Sequence, residues 1–174
     1  MLKKIFILSL LALFIVFSKS YAQNNFSDEF KSIFNPQKIS KSAVFYDKEG
    51  NQVELSDFEG KVIVLNFWKA TCRTCLIELP SLNRLAEKYP EIIVLAISQG
   101  DENADTIERV LHEERNLTNI PVSLDDNQKL FKLLGGDKVP QTRLIDKKGI
   151  VKKTIKGGAD FDSEKIHKQI EELL

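Results

Sequence analysis

Two stretches of the chain, 62–67 and 92–97, are apolar at nearly every position and rich in β-branched residues. Strands that are apolar on both faces are typical of a parallel sheet covered on both sides. The segment between them carries apolar residues at the spacing of one helix face, namely Leu76, Leu79, Leu82, Leu85, Ala86 and Tyr89. The pattern therefore predicts a β-α-β unit.

Weaker patterns predict the elements on either side of this unit. Turn-forming residues between short apolar runs indicate hairpins, and helical spacing indicates helices. The predicted elements are a short amphipathic helix within 23–41, a hairpin of 43–46 and 52–55, a helix 106–115, a strand 121–124, a helix 128–134, a hairpin of 142–146 and 150–155, and a helix 162–174. Together they predict one α/β domain, a central mixed β-sheet flanked by helices, with an N-terminal β-hairpin extension.

The first 22 residues have the features of a secretory signal peptide. Lys3 and Lys4 precede an apolar run, 5–17, which is shorter than the about 20 residues of an ordinary membrane span. Small residues before Gln23 predict cleavage there, and an uncleaved N-terminal anchor is the alternative. In both cases we expect residues 23–174 to form the domain, outside the cytoplasmic membrane or in the periplasm. We expect membrane attachment only if the segment stays uncleaved.

The charge balance gives no reason to expect a nucleic-acid partner. The chain carries 25 basic and 25 acidic residues, and without residues 1–22, which hold three lysines and no acid, its net charge is −3. Two cysteines cannot build a disulfide-rich scaffold or fill a four-ligand zinc site. His112 and His167 lie on separate predicted helices, where we expect solvated surface residues. We therefore expect no metal and no cofactor.

The two cysteines have a spacing and a position that suit disulfide exchange. Cys72 follows the first buried strand and begins the central helix, where unpaired N–H groups and the helix dipole favour the thiolate over the thiol. Arg73 adds a nearby cation that acts in the same direction. Cys75 lies one helical turn further on and can attack a mixed disulfide formed at Cys72.

Two other interpretations of the pair are a passive structural disulfide and half of a metal site. A loop closed between positions i and i+3 is too small to stabilise the fold much, because the entropic gain grows with loop length. A metal site would need two more ligands. A strand followed by Cys-x-x-Cys and then by a helix favours a redox site over both alternatives.

Four motifs occur in order and at fixed separations between about residue 40 and about residue 160. They are 55–68, Cys75-Leu76-Ile77-Glu78-Leu79-Pro80, Val139-Pro140-Gln141-Thr142, and Leu144-Ile145-Asp146 before Gly149. This set resembles the TlpA/ResA branch of the thioredoxin superfamily. The resemblance implies a thioredoxin-like fold and an exported or membrane-tethered thiol–disulfide oxidoreductase, in most members a reductase. It also implies a nucleophilic Cys72, a resolving Cys75 and a disulfide between them.

The resemblance also implies roles for partners and for other residues. We expect client proteins with disulfides, a thiol protein as electron donor, and a monomer. Glu78 resembles the family's internal acidic residue, a catalytic group that exchanges a proton with Cys75, although spacing alone slightly favours a solvated helix glutamate. Pro140 resembles the family's cis-proline, and Val139 would then offer its backbone to an extended substrate. Trp68 is a further candidate for substrate contact, with a core position as the alternative.

The chain departs from the family pattern near the site. Thr71 stands where a second tryptophan is usual, Arg73-Thr74 replaces a pair that commonly contains proline, Lys69 replaces a small residue, and Arg143 replaces an aromatic. These changes leave the redox potential and the substrate surface open. Two alternative functions are a thiol peroxidase, because peroxiredoxins share the fold, and a non-catalytic binder of exported client proteins.

Overall fold

The computed structural model describes residues 37–39 and 42–174. The chain divides into the units Met1–Gln37 and Lys38–Leu174, and the second unit contains all of the strands and helices described below. The predicted signal segment and the helix predicted from Phe26, Phe30, Ile33 and Phe34 lie outside the described residues. Within those residues, no helix combines the length and the apolar character that a membrane crossing requires.

The second unit is built on one mixed sheet of seven strands. The strands are β1 (Val44–Tyr46), β2 (Gln52–Glu54), β3 (Ile63–Trp68), β4 (Ile93–Ser98), β5 (Val122–Leu124), β6 (Gln141–Ile145) and β7 (Val151–Lys156). Their spatial order is β2-β1-β5-β4-β3-β6-β7. The pairs β3–β4 and β4–β5 are parallel and the other pairs are antiparallel, as the predicted β-α-β unit and the two predicted hairpins require.

The centre of the sheet is buried on both faces because its strands are apolar on both faces. Every residue of β3 is buried, and alternate residues belong to two separate core clusters. Val64 and Trp68 face the first cluster, whereas Leu65 and Phe67 face the second. Because β3, β4 and β5 run in the same direction, their carboxyl ends meet at one edge of the sheet, where α/β proteins place their sites.

The central helix, α1 (Arg73–Lys88), is the crossover between β3 and β4. Its buried face includes Cys75, Leu79, Leu82 and Leu85, which pack on the first core cluster, as the helical spacing predicts. Pro80 lies inside the helix and does not end it. The opposite face is solvated, with Ile77 69% exposed. The apolar spacing therefore fixes which side of the helix turns towards the sheet.

The remaining α-helices are shorter than predicted or irregular. They are α2 (Ala104–Glu108), which continues as a π-helix over Arg109–Glu113, α3 (Lys129–Leu133) and α4 (Glu164–Glu171). Before α3 the backbone turns through Asn127 and Gln128, which have positive φ angles. The carboxylate of buried Asp125 accepts hydrogen bonds from the N–H groups of Leu130 and Phe131, so this side chain satisfies the first turn of α3.

The two histidines are not the solvated surface residues that the sequence predicts. Both are half-buried. Nε2 of His112 lies 2.9 Å from the carbonyl oxygen of Ile120, and Nε2 of His167 lies 3.1 Å from that of Phe161. Partial burial makes such polar contacts necessary, because an imidazole nitrogen without a partner would be costly to desolvate. Each histidine thus joins its helix to a neighbouring loop.

Candidate active site

Cys72 and Cys75 form a disulfide at the N-terminus of α1, with their Cα atoms 5.3 Å apart. Cys72 is the N-cap of the helix, and its sulfur accepts a hydrogen bond from the N–H of Cys75 at 3.2 Å. Cys75 is fully buried, whereas Cys72 is half-buried and lies at the border of the core. The two sulfurs therefore differ in access from solvent, and Cys72 is the accessible one.

Glu78 lies one turn beyond Cys75 and is only 3% exposed, so the structure excludes the solvated alternative. One carboxylate oxygen, Oε1, accepts a hydrogen bond from Nδ2 of Asn66 at 2.8 Å, and Oε2 accepts one from the N–H of Ala159 at 2.9 Å. Burial raises the pKa of Glu78, and these two hydrogen bonds oppose that rise. A carboxyl group in this environment can change its protonation state closer to neutral pH than a solvated one.

Asn66 is a further site residue, and the sequence motifs do not single it out. It is fully buried in the middle of β3, and its Nδ2 also donates to Oγ1 of Thr142 on β6 at 2.9 Å. The side chain thus connects the helix that carries the cysteines with the strand that follows Pro140. One sequence feature could have identified Asn66, since it is the single polar residue within the apolar run 62–67. A buried amide needs polar partners, so such a residue indicates a hydrogen-bonded position.

The Val139–Pro140 peptide bond is cis, as the resemblance implies. Pro140 directly precedes Gln141, which pairs with Phe67 in the antiparallel register of β6 and β3. This register places Pro140 beside the end of β3, from which the chain leads to Cys72. Val139 is half-buried and packs against both core clusters. The cysteine pair and the Val139–Pro140 segment therefore occupy the same edge of the sheet.

Trp68 does not form part of a substrate surface, which corrects the prediction of substrate contact. Its side chain is fully buried in the first core cluster, and Nε1 donates to the carbonyl oxygen of Ala96 at 3.2 Å. The reason is the position of β3 between β4 and β6, since side chains on both faces of a central strand are covered. The core position that the sequence leaves open is the correct one.

Gly157 and Gly158 follow β7 and lie against the site. Gly157 has φ +81°, and its N–H donates to the carbonyl oxygen of Pro140 at 3.0 Å. A Cβ atom on Gly158 would lie 2.7 Å from Cγ2 of Thr74, so the backbone approaches the first turn of α1 as closely as a side-chain-free residue allows. The next residue, Ala159, donates to Glu78. The loop after β7 thereby contacts both the cis-proline segment and the buried carboxyl group.

Basic residues flank the cysteine pair and the Val139–Pro140 segment in the sequence. Lys69, Arg73 and Lys138 form no ion pair within the described part of the chain, whereas Lys156 pairs with Asp137 at 3.0 Å. Among the same residues, no group of three His, Cys, Asp or Glu side chains is arranged to hold a metal ion. The described site contains two sulfurs and one buried carboxyl group, with basic residues beside them in the sequence.

These features define the class of protein. A cysteine pair that forms a disulfide at the N-terminus of a helix, directly after a central strand of a mixed sheet, is the site of a thioredoxin-like thiol–disulfide oxidoreductase, and the chain is an enzyme of that class.

Comparison with known proteins gives the family. The chain belongs to the AhpC/TSA family, whose model matches residues 36–154, and to the thiol-disulfide oxidoreductases named ResA. ResA of Bacillus cereus is 36% identical over 155 residues, which are 87% of this chain and 83% of the relative. ResA of Bacillus thuringiensis subsp. konkukian is 35% identical over 137 residues, 79% of this chain and 75% of the relative.

Solved structures agree with this assignment. The pneumococcal exposed lipoprotein thioredoxin Etrx1 of Streptococcus pneumoniae superposes with a TM-score of 0.63 at 28% identity, over 75% of this chain and 98% of that one. StoA of Bacillus subtilis, at 24% identity and a TM-score of 0.58, covers 75% of this chain and 95% of its own and supports the fold alone. The predicted thioredoxin-like fold is thus confirmed. Of the three functional hypotheses, thiol–disulfide oxidoreductase is the one confirmed.

The buried carboxyl group leads to a prediction about stability. Below about pH 4.3, the usual pKa of glutamate, Glu78 is protonated in both the folded and the unfolded chain. Above that pH the unfolded chain loses the proton first, because burial raises the pKa of Glu78 in the folded state. The contribution of Glu78 to the free energy of unfolding then falls with pH, by at most about 1.4 kcal/mol per pH unit, until the folded-state pKa is passed.

Glu78→Gln is expected to remove this decrease. Urea unfolding of the oxidised protein at a series of pH values gives the free energy of unfolding of variant and wild type. The contributions of the other carboxyl groups cancel in the difference between the two. Glu87→Gln, on the exposed side of the same helix, is the control and is expected to follow the wild type. A constant difference between Glu78→Gln and wild type from pH 4 to pH 8 would contradict the prediction.

Proposed function

We propose that this protein reduces disulfide bonds of client proteins outside the cytoplasmic membrane, with Cys72 as nucleophile and Cys75 as resolving cysteine. The observation that carries the proposal is the unequal access of the two sulfurs at a helix N-terminus. Cys72 is half-buried and Cys75 is fully buried, so a client can reach only the first. The ResA relatives, named thiol-disulfide oxidoreductases, support the same chemistry.

The first step is attack by the Cys72 thiolate on one sulfur of a client disulfide. A bond forms between Cys72 and that sulfur, the client's S–S bond breaks, and the second client sulfur leaves as a thiolate. Cys72 at the N-cap favours the thiolate, because the first turn of α1 has N–H groups without intrahelical partners. The N–H of Cys75 already points at the Cys72 sulfur in the oxidised form.

The second step is attack by Cys75 on the Cys72 sulfur of the mixed disulfide. Cys75 must first lose its proton, and we propose that Glu78, one turn further along the same buried face, accepts it. The new Cys72–Cys75 disulfide forms, and the client sulfur that was bound to Cys72 leaves as a thiolate and takes a proton from water. The client gains two electrons and the pair loses them. A dithiol donor protein then restores the reduced pair by the reverse exchange.

The extended client would lie along Val139 and Pro140. Val139 is half-buried at the edge of the sheet, and its N–H and C=O would form backbone hydrogen bonds with an extended segment, as the resemblance implies. The compartment follows from the predicted signal segment, and a relative of solved structure is described as an exposed lipoprotein. The chemistry of the reaction defines both partners, because the client must carry a disulfide and the electron donor a dithiol.

The test of this function is a trapping experiment with Cys75→Ser. This variant can form the mixed disulfide at Cys72 but cannot resolve it, so we expect covalent adducts with envelope proteins on non-reducing gels. Cys72→Ser with Cys75 intact is the matched control and is expected to form none, because Cys75 is buried. The oxidation state of the wild-type pair in the cell, measured by thiol alkylation, gives the direction.

The outcomes distinguish the parts of the proposal. A reduced pair in an oxidising compartment supports a reductase, whereas a fully oxidised pair contradicts that direction. Adducts that form with Cys72→Ser and not with Cys75→Ser would reverse the assigned roles. If neither variant forms adducts while wild-type protein still reduces disulfides, the two-step exchange mechanism is wrong.

A further inference from the structure

Arg143 is a buried arginine on the opposite face of the sheet from α1. It lies on β6 opposite Leu65, which belongs to the second core cluster, and it is only 3% exposed. Within the described residues it forms no ion pair. Burial lowers the pKa of its guanidinium group, and the carboxylate of Asp137 acts in the opposite direction. A buried cation without a paired carboxylate costs free energy, so its position calls for an explanation.

The hydrogen bond that Arg143 forms shows what the side chain holds. Nη2 donates to the carbonyl oxygen of Leu134 at 2.8 Å. Leu134 is the C-cap of α3, where a carbonyl oxygen lacks an intrahelical partner and the helix dipole favours a cation. Nε and Nη1 have no hydrogen-bond partner among the described residues. Arg143 therefore ties the end of α3 to the middle of β6.

The chain between these two points contains the segment that would receive the client. It runs from Leu134 through Gly135 and Gly136 to Val139 and Pro140 and then enters β6. The N–H groups of Gly135 and Gly136 donate to the carbonyl oxygens of Lys132 and Phe131, so backbone hydrogen bonds hold the start of the segment. The hydrogen bond from Arg143 to the Leu134 carbonyl oxygen adds a side-chain contact that holds the same point from β6. Val139 therefore lies five residues beyond a carbonyl group that a buried guanidinium group holds.

Two further contacts hold the same segment through Asp137. Asp137 accepts hydrogen bonds from Nε2 of Gln141 at 3.1 Å and from Nζ of Lys156 at 3.0 Å. Gln141 and Arg143 are two residues apart on β6 and point to the same face. Arg143 and Gln141 therefore both contact this loop from β6, and Lys156 contacts it from β7. The exposed ion pair with Lys156 is screened by water and is expected to contribute little.

We propose that Arg143 is a positioning residue for extended clients, which holds the Leu134–Pro140 segment so that the backbone of Val139 is placed to bind them. This proposal rests on the proposed function, because it specifies how that site recognises a substrate. It concerns clients with an extended peptide segment next to the disulfide. A small disulfide that cannot reach Val139 reacts with Cys72 alone, so its reaction rate does not depend on Arg143.

The experiment compares two substrates with the same leaving group. One is a short extended peptide whose single cysteine carries 5-thio-2-nitrobenzoate as a mixed disulfide. The other is N-acetylcysteine amide with the same group. Reduced protein is mixed with each, and release of the coloured thiol gives the rate of attack by Cys72. The variants are Arg143→Met and Arg143→Lys, with Lys156→Met as the matched control that removes only the exposed ion pair with Asp137.

We expect Arg143→Met to lower the rate with the peptide about tenfold, the effect of weakening two backbone hydrogen bonds. The rate with the small compound stays unchanged. Arg143→Lys retains a cation that can still donate one hydrogen bond to Leu134. We expect its rate to fall about threefold with the peptide and to stay unchanged with the small compound. Lys156→Met is expected to react with both substrates at the wild-type rate.

Equal losses with both substrates would overturn the proposal, because they would indicate a general disturbance of the fold or of the Cys72 thiol. Unchanged peptide rates would overturn it as well. If circular dichroism shows that Arg143→Met does not fold, Arg143→Lys decides alone, and only a loss confined to the peptide supports the proposal. Wild-type protein that releases the thiol from neither compound would instead contradict the proposed function.

Discussion

Replacement of Cys72 by serine is expected to lower the rate at which the protein reduces disulfides to the rate measured without protein. A serine hydroxyl does not ionise near neutral pH, so the site loses its accessible nucleophile. Cys75 cannot substitute for it, because its side chain, in the first turn of α1, is fully buried. The measurement is a single-turnover reaction of the reduced variant with a model disulfide, followed by the release of the first client thiol.

Cys75→Ser is the matched control for this experiment, because it changes the same atom type one helical turn away. It is expected to release the first client thiol at a rate close to wild type and then to stop at the mixed disulfide. The pair of variants thus separates attack from resolution. If Cys72→Ser released the first thiol while Cys75→Ser did not, the order of the two steps would be opposite to the one derived from burial.

The sequence predicts the central part of this site well, and the physical reason is local. Strand β3, the start of α1 and the position of the cysteine pair follow from an uninterrupted apolar run and from helical spacing, both of which are properties of neighbouring residues. In the structure β3 begins at Ile63, inside the predicted run 62–67, and α1 begins directly after Cys72, as predicted. Burial of Cys75 follows from its place on the apolar face of the helix.

The contacts that connect distant parts of the chain are not predictable in this way. Asn66 interrupts an apolar strand in the sequence, and its partners, Glu78 and Thr142, lie 12 and 76 residues away. Ala159 contacts Glu78 through its backbone N–H, so its side chain carries no signal at all. Only the assembled sheet shows that these groups meet.

Trp68 and Arg143 show a different limit. Sequence alone cannot decide whether the side chain of Trp68 turns inward, since the strand ends there and either direction is open. The sequence marks Arg143 only as a departure from the family pattern. Its contact with Leu134 depends on where α3 ends, and α3 is shorter than the predicted helix 128–134. Irregular backbone at Asn127 and Gln128, which no local pattern predicts, sets the start of α3.

Glu78→Gln is expected to slow resolution of the mixed disulfide about a hundredfold at neutral pH, the lower end of what a positioned base contributes. Glutamine keeps the size of the side chain and can still accept the hydrogen bond from Asn66. It cannot accept the proton of Cys75. Attack by Cys72 is expected to be unaffected, because that sulfur lies at the N-cap and outside the buried network. Release of the second client thiol in a single turnover measures the step.

The pH dependence separates proton transfer from a packing defect. Without the carboxylate, Cys75 ionises only by loss of its proton to solvent, so the rate in Glu78→Gln is expected to rise about tenfold per pH unit. The wild-type rate levels off once Glu78 is deprotonated, and burial raises the pKa of Glu78, so this plateau begins above the usual range for glutamate. The difference between the two proteins should therefore shrink as the solution becomes alkaline.

Asn66→Ala provides the comparison, because it removes a hydrogen bond to Glu78 and keeps the carboxyl group. This variant is expected to move the plateau to higher pH. A deficit in Glu78→Gln that is the same at every pH would show that the glutamate acts through packing and not as a base.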